Sequence, residues 1–154
     1  MLPSDRLKGM TVIVDLGTQQ MIEHHSRRFE RTLPLDVAAL PGARQELRAF
    51  LQTCTLGDDL VAAIVLCVQE ACMNAVRFSR SQAGVSITVG LDDDRARIVV
   101  RDYGTGFKPN EIPEHPPDPL AVSGRGLFII HAFMDFVEIN DSGGTEVRMC
   151  KLLR

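Results

Sequence analysis

Apolar residues recur along this chain with three different spacings, and each spacing predicts an element. Between Pro41 and Cys54, the residues Ala43, Leu47, Phe50, Leu51 and Cys54 fall on one stripe of a helix. From Leu56 to Val76 nearly every residue is apolar or small, which predicts a second, more deeply buried helix over about Asp58 to Ser79, with Asp58 as its cap. The period then drops to two. Val85, Ile87 and Val89 alternate with small or polar residues, the charged run DDDR (92–95) turns the chain, and ARIVVRD (96–102) returns, predicting a hairpin. GRGLFIIHAFMD (124–135) reads as a helix that opens on glycines. FVEIN, a turn at DSGG and TEVRMCKLL form a closing hairpin.

The first part of the chain carries less pattern. RFERTLPL (28–35) alternates Phe29 with Leu33 and Leu35 and predicts a strand, and TVIV (11–14) a short one. QQMIEHHSRRFE reads as a short helix or as a lead-in without regular structure. Residues 1–27 are expected to be an N-terminal extension and 28–154 a single domain. Helices first, then strands, a helix and strands again predict an α+β fold, a two-layer sandwich on a mostly antiparallel sheet.

Polar residues interrupt this pattern at one place that matters. In VQEACMNAV (68–76), Glu70 and Asn74 stand four apart inside the most apolar helix and so share one of its faces, their Cβ atoms about 5–6 Å apart. Burying both without partners would cost several kcal/mol, roughly 2–7 for each uncompensated polar group. Either they pair within the protein or they serve something outside the helix. An Asn amide oxygen suits a magnesium ion that takes most of its ligands from water and phosphate. A carboxylate one turn away could accept a proton from an attacking hydroxyl.

Three glycine sites surround that pair in sequence. DYGTGF (102–107) follows a predicted strand, where Gly104 and Gly106 allow a sharp turn and a close approach to another molecule, although a plain strand-ending turn would also use them. GRGLF (124–128) opens a helix, whose first-turn N–H groups suit phosphate; a flexible loop-to-helix junction is the simpler reading. Gly143 and Gly144 in GGTEV are explained by a hairpin turn. Between the first two sites lies KPNEIPEHPPDPLAVS (108–123), whose five prolines exclude helix and central strand. No Walker-type loop or dinucleotide fingerprint is present.

Composition narrows the function classes. The 154 residues carry a net charge of −3, so nothing electrostatic invites a nucleic acid or an anionic membrane. No apolar run is expected to reach the roughly 18 residues of a membrane span, and no signal-peptide core is evident. A soluble, cytoplasmic protein is the expectation. Cys54, Cys67, Cys72 and Cys150 lack CxxC spacing and sit among apolar residues, which fits buried small hydrophobes in a reducing compartment. The four histidines show no metal-ligand spacing.

EACMNAV, RDYGTGF, SGRGLFIIHAFMDFVEI and GGTEVRM occur in an order that resembles the Bergerat-type ATPases, the superfamily of gyrase, heat-shock chaperones, mismatch-repair ATPases and histidine kinases. Within it, residues 28–153 are most similar to the anti-sigma-factor serine/threonine kinases. The resemblance implies helices over one face of a mixed, mainly antiparallel sheet, with ATP and Mg2+ as the cofactors. It implies that Asn74 coordinates the magnesium, that Glu70 is the general base, and that Asp102 accepts a hydrogen bond from the adenine amino group. Gly104 and Gly106 would close over adenine and ribose, Thr145 would support Asp102, and 108–123 would form a lid. Gly124, Arg125, Gly126 and Leu127 would surround the phosphates. Phe78 stands where many relatives carry histidine, and Arg77 is a further variable position.

A transducer domain or the paired helices of a histidine kinase do not fit in 154 residues, so the resemblance points to a free-standing kinase domain. Its implied partners are an anti-anti-sigma protein as substrate and a sigma factor that it sequesters, with a homodimer compatible. The alternative is an adaptor that sequesters partners without catalysis. Glu70 discriminates, since a pure binder has no use for a base beside the magnesium ligand.

Overall fold

The computed structural model describes residues 10–14, 21–25, 27–79, 83–104, 125–141 and 143–153. Strands β1 (Met10–Val14) and β2 (Met21–His25) pair antiparallel with each other, Ile13 opposite Ile22 and Met10 opposite His25. Met21–His25, within the segment expected as a short helix or irregular lead-in, is therefore a strand. Five residues are too few to propagate a helix, whereas cross-strand pairing satisfies their backbone directly.

The main sheet has five strands in the order β3-β4-β5-β7-β6, and every pairing in it is antiparallel. These are β3 (Arg27–Leu33), β4 (Val85–Leu91), β5 (Arg95–Asp102), β6 (Phe136–Asn140) and β7 (Glu146–Leu152). The period-two pattern decides which face is buried. Val85, Ile87, Val89 and Leu91 of β4, Ala96, Ile98 and Val100 of β5, and Val147 and Met149 of β7 all enter one core. That core is completed by helices α1 (Leu40–Thr53), α2 (Asp58–Phe78) and α3 (Gly126–Phe133). The expected sandwich and mainly antiparallel sheet are present.

The two long helices differ as their sequences predict. Helix α1 buries one stripe, Leu40, Ala43, Leu47 and Leu51. Helix α2 packs against α1, α3, β4 and β5, so it buries nine residues on more than one side. By length and composition α2 could also cross a membrane, but here it is the core helix between those neighbours. Its cap is Gly57, whose carbonyl accepts from the Val61 N–H at 3.1 Å; Asp58 is the first helical residue rather than the cap. Asp58 and Asp59 in the first turn and Arg77 in the last complement the helix dipole, each by about 0.3–1 kcal/mol.

Cys67 and Cys72 lie on the buried side of α2. Burial pushes both thiols up to about 12, with the Glu70 carboxylate adding to the effect at Cys67. They remain protonated and behave as small hydrophobes.

Behind the core-facing side of β5 and β7, the outer face of the sheet carries ion pairs. Arg101 Nη1 donates to Glu146 Oε2 at 2.9 Å, and the Arg148 guanidinium pairs with Glu146 Oε1. The two guanidiniums, Arg148 foremost, hold the Glu146 carboxyl below its ordinary value of 4.5. A depressed carboxyl pKa gives stability that is present above the unfolded value and lost as pH falls through the folded one. Glu146→Gln should therefore lower stability at pH 7 by roughly 1 kcal/mol. Urea unfolding should show the gap to wild type closing as pH falls below about 4; a gap independent of pH would refute the assignment.

Candidate functional site

The polar pair of α2 meets the amino end of α3. Glu70 and Asn74 are both half-buried and lie one turn apart, as their spacing requires. Gly126, the first residue of α3, is packed directly against them. A methyl group at position 126 would stand 3.0 Å from Glu70 Oε2, 3.2 Å from Asn74 Nδ2 and 3.3 Å from Asn74 Oδ1. Glycine here lets the first turn of α3, with its unpaired N–H groups, approach a carboxylate and a carboxamide together. Leu127 follows as a buried residue and Arg125 precedes as an exposed one.

A second polar group lies at the end of β5. Asp102 continues the inward row Ala96, Ile98, Val100, so its carboxylate points to the core side and is only 7% exposed. Such burial requires compensation by donors. The amide N–H of Gly104 donates to Asp102 Oδ1 at 2.9 Å and that of Thr145 at 3.3 Å. The backbone N–H of Asp102 donates in turn to the Thr145 carbonyl at 2.9 Å. Among the described residues both side-chain bonds fall on Oδ1, leaving Oδ2 acceptor capacity for a donor in the neighbouring cleft.

Glycine makes this arrangement fit twice. Gly144 has φ +125°, and a Cβ there would lie 2.1 Å from the Asp102 carbonyl oxygen and 2.7 Å from Tyr103 Cα. Its role exceeds the hairpin turn expected from sequence, because it lets the start of β7 lie flush on the Asp102 backbone. Gly104 is pressed against Ser79 at the end of α2.

A cleft joins the two polar groups. It is lined by Asn74, Asp102, Thr145 and Leu127 together with Ala71, Ala75, Phe78, Ser79, Val100, Ile139 and Val147. Glu70 stands one turn from Asn74, beyond the lining residues. From Glu70 to Ser79 is nine residues, about 13 Å along the α2 axis. The cleft thus runs from the Asp102 end to Asn74, with Glu70 one turn beyond it. The apolar walls with few polar groups suit a flat, largely apolar ring with one hydrogen-bond donor.

Of the residues singled out from sequence, Glu70, Asn74, Gly126 and Leu127 come together at one end and Asp102, Gly104 and Thr145 at the other, with Arg125 beside α3. Gly106, Gly124 and the proline-rich 108–123 segment lie outside the described residues. Sequence reasoning missed the walls. A signal existed for Ala71 and Ala75: they accompany Asn74 and Phe78 on one face of α2, where small residues leave room. No comparable signal marks Ile139 or Val147, because alternation alone does not tell a cleft wall from a core.

The donor set can be tested against a magnesium nucleotide. Among the described residues no group of three His, Cys, Asp or Glu side chains could hold a metal alone. One carboxamide oxygen beside a helix amino end fits a cation held jointly with phosphates and water.

Residues 33–151 match the family model described as the histidine kinase-like ATPase domain. The serine-protein kinase RsbW of Oceanobacillus iheyensis is 33% identical over 136 residues, covering 81% of this chain and 86% of that protein. That of Bacillus licheniformis is 35% identical over 107 residues, covering 62% of this chain. The chain spans 66%, just under two thirds, of the length of this relative. Among solved structures, the RsbU and RsbW domains of Rv1364c from Mycobacterium tuberculosis align with a TM-score of 0.64 at 22% identity, covering 83% of this chain and 33% of that one. The mycobacterial sensor histidine kinase MprB aligns with a TM-score of 0.51 at 19% identity, covering 80% and 99%. These two likenesses bear on the fold.

The two hairpin glycines should behave differently. Gly144→Ala should cost more than 2 kcal/mol in a denaturant titration, combining positive-φ strain with a backbone collision. Gly143→Ala, at φ +70° in open space, should cost only about 1 kcal/mol. Equal costs would contradict the close approach at Asp102.

Proposed function

This chain belongs to the histidine kinase-like ATPase domain family, and on that premise we propose that it is an ATP-dependent serine/threonine protein kinase of the anti-sigma-factor type. The observation that carries this reading is the meeting of Glu70 and Asn74 with Gly126 at the amino end of α3. Its similarity to serine-protein kinases supports it.

In this reading the residues divide the work. Asp102 Oδ2 accepts from the exocyclic amino group of adenine, which disfavours guanine because guanine presents a carbonyl there. Thr145 and Gly104 hold that carboxylate through their amides, while Ala71, Ala75, Val100 and Leu127 give the base apolar contact. At the other end the first-turn N–H groups of α3 face the phosphates, with Arg125 and Gly126 beside them. Asn74 would hold a magnesium ion, which when bound neutralises and orients phosphate charge. Glu70, one turn away, takes the proton from the attacking serine or threonine hydroxyl, a role that contributes on the order of 100- to 10,000-fold. A sequestering adaptor would have no use for that carboxylate.

The rest of the proposal follows from the same family. The substrate hydroxyl belongs to a small anti-anti-sigma protein, and a sigma factor is the second ligand, so that phosphorylation decides which complex forms. The kinase works in the cytoplasm as residues 28–154, with residues 1–27 an extension and a homodimer compatible with the reading.

Glu70→Ala should slow transfer of the γ-phosphate from ATP to a purified anti-anti-sigma protein by at least about 100-fold, while ATP affinity stays within a few-fold. Equal loss of both would remove Glu70 from the role of base. Asn74→Ala should abolish the magnesium dependence of ATP binding measured by calorimetry; an unchanged dependence would remove it as a ligand.

A further inference from the structure

Helix α2 ends against the loop that follows Asp102. Ser79 caps it, with extended backbone (φ −75°, ψ 136°) and its N–H donating to the Ala75 carbonyl at 2.9 Å. Gly104 lies directly on this residue. A Cβ on Gly104 would stand 2.3 Å from Ser79 Oγ, 2.8 Å from Ser79 Cα and 2.9 Å from Ser79 Cβ. The Gly104 backbone is thus seated on the Cα and side chain of Ser79, with no slack for a methyl group, and the Gly104 amide placed there is one of the two donors to Asp102 Oδ1.

We infer that Ser79 is a positioning residue for base selection: its main chain and Cβ fix where the Gly104 amide stands, and through it the orientation of the Asp102 carboxylate in the cleft. The inference rests on the reading that this cleft holds adenine. It follows from geometry that the same helix presenting Asn74 and Glu70 to the phosphate end also sets the carboxylate at the base end. A rigid α2 therefore fixes the distance between the two ends, and a larger side chain at position 79 disturbs only the far one.

Calorimetric titration with ATP and with inosine triphosphate tests this. The inosine base carries a carbonyl where adenine carries its amino group, so the ratio of the two Kd values reports the Asp102 contact. Ser79→Ala keeps the Cα and Cβ that Gly104 rests on but removes Oγ, the atom nearest to it, so its ratio should fall by no more than about three-fold. Ser79→Leu pushes Gly104 outward, and its ratio should fall on the order of tenfold, the discrimination carried by one hydrogen bond to a charged group. Ser79→Thr adds a single methyl, and a fall of a few-fold is expected; it serves if the leucine variant does not fold. A purely structural role would lower the thermal midpoint of these variants and leave the ratio unchanged, and that result would overturn the inference. A wild-type protein that binds ATP and inosine triphosphate equally would instead overturn the adenine reading, and the inference with it.

Discussion

A helix buried on more than one side can keep polar side chains only where the packing is interrupted, and α2 is such a helix. Its neighbours α1, α3, β4 and β5 bury nine of its residues between Val61 and Ala75, while Glu70 and Asn74 stay half-buried beside the glycine that opens α3. Replacing that contact with ordinary side-chain packing would fill the space the pair occupies. The cleft is therefore a consequence of how α3 meets α2, and the sheet serves to hold both helices at the required separation.

The second polar end obeys a different rule. Asp102 occupies the last position of an otherwise apolar core-facing row of β5, a costly place for a carboxylate. The cost is offset by two backbone amides, one from its own loop and one from Thr145 just before β7, and both depend on glycines that permit close approach. The arrangement joins strand end, turn and hairpin into one support, and on the outer face the Arg101–Glu146–Arg148 ion pairs tie the same two strands together.

Much of this was legible in the sequence. The period-two runs located β4, β5 and β7, and the apolar stripe located α1, because side-chain alternation and helix geometry leave little freedom. Glu70 and Asn74 stood out for the same reason: their spacing put two polar groups on one face of an apolar helix. Other features were not legible, since they arise from distant contacts. Met21–His25 carries no pattern of its own and becomes a strand only by pairing with Met10–Val14. Gly57 rather than Asp58 caps α2, a difference of one residue that depends on local backbone angles. Gly144 looked like a turn glycine, and its second role appears only when β7 is laid against Asp102. The contact of Ser79 with Gly104 joins residues 25 apart and leaves no trace in either segment alone.

The central claim is that the two polar ends belong to a single nucleotide site. Calorimetric titration of the wild-type chain with ATP and with GTP, each with and without magnesium, tests it most directly. Binding that is strengthened by magnesium and clearly favours ATP is expected. Absence of binding, or equal affinity for both nucleotides with no effect of magnesium, would contradict it.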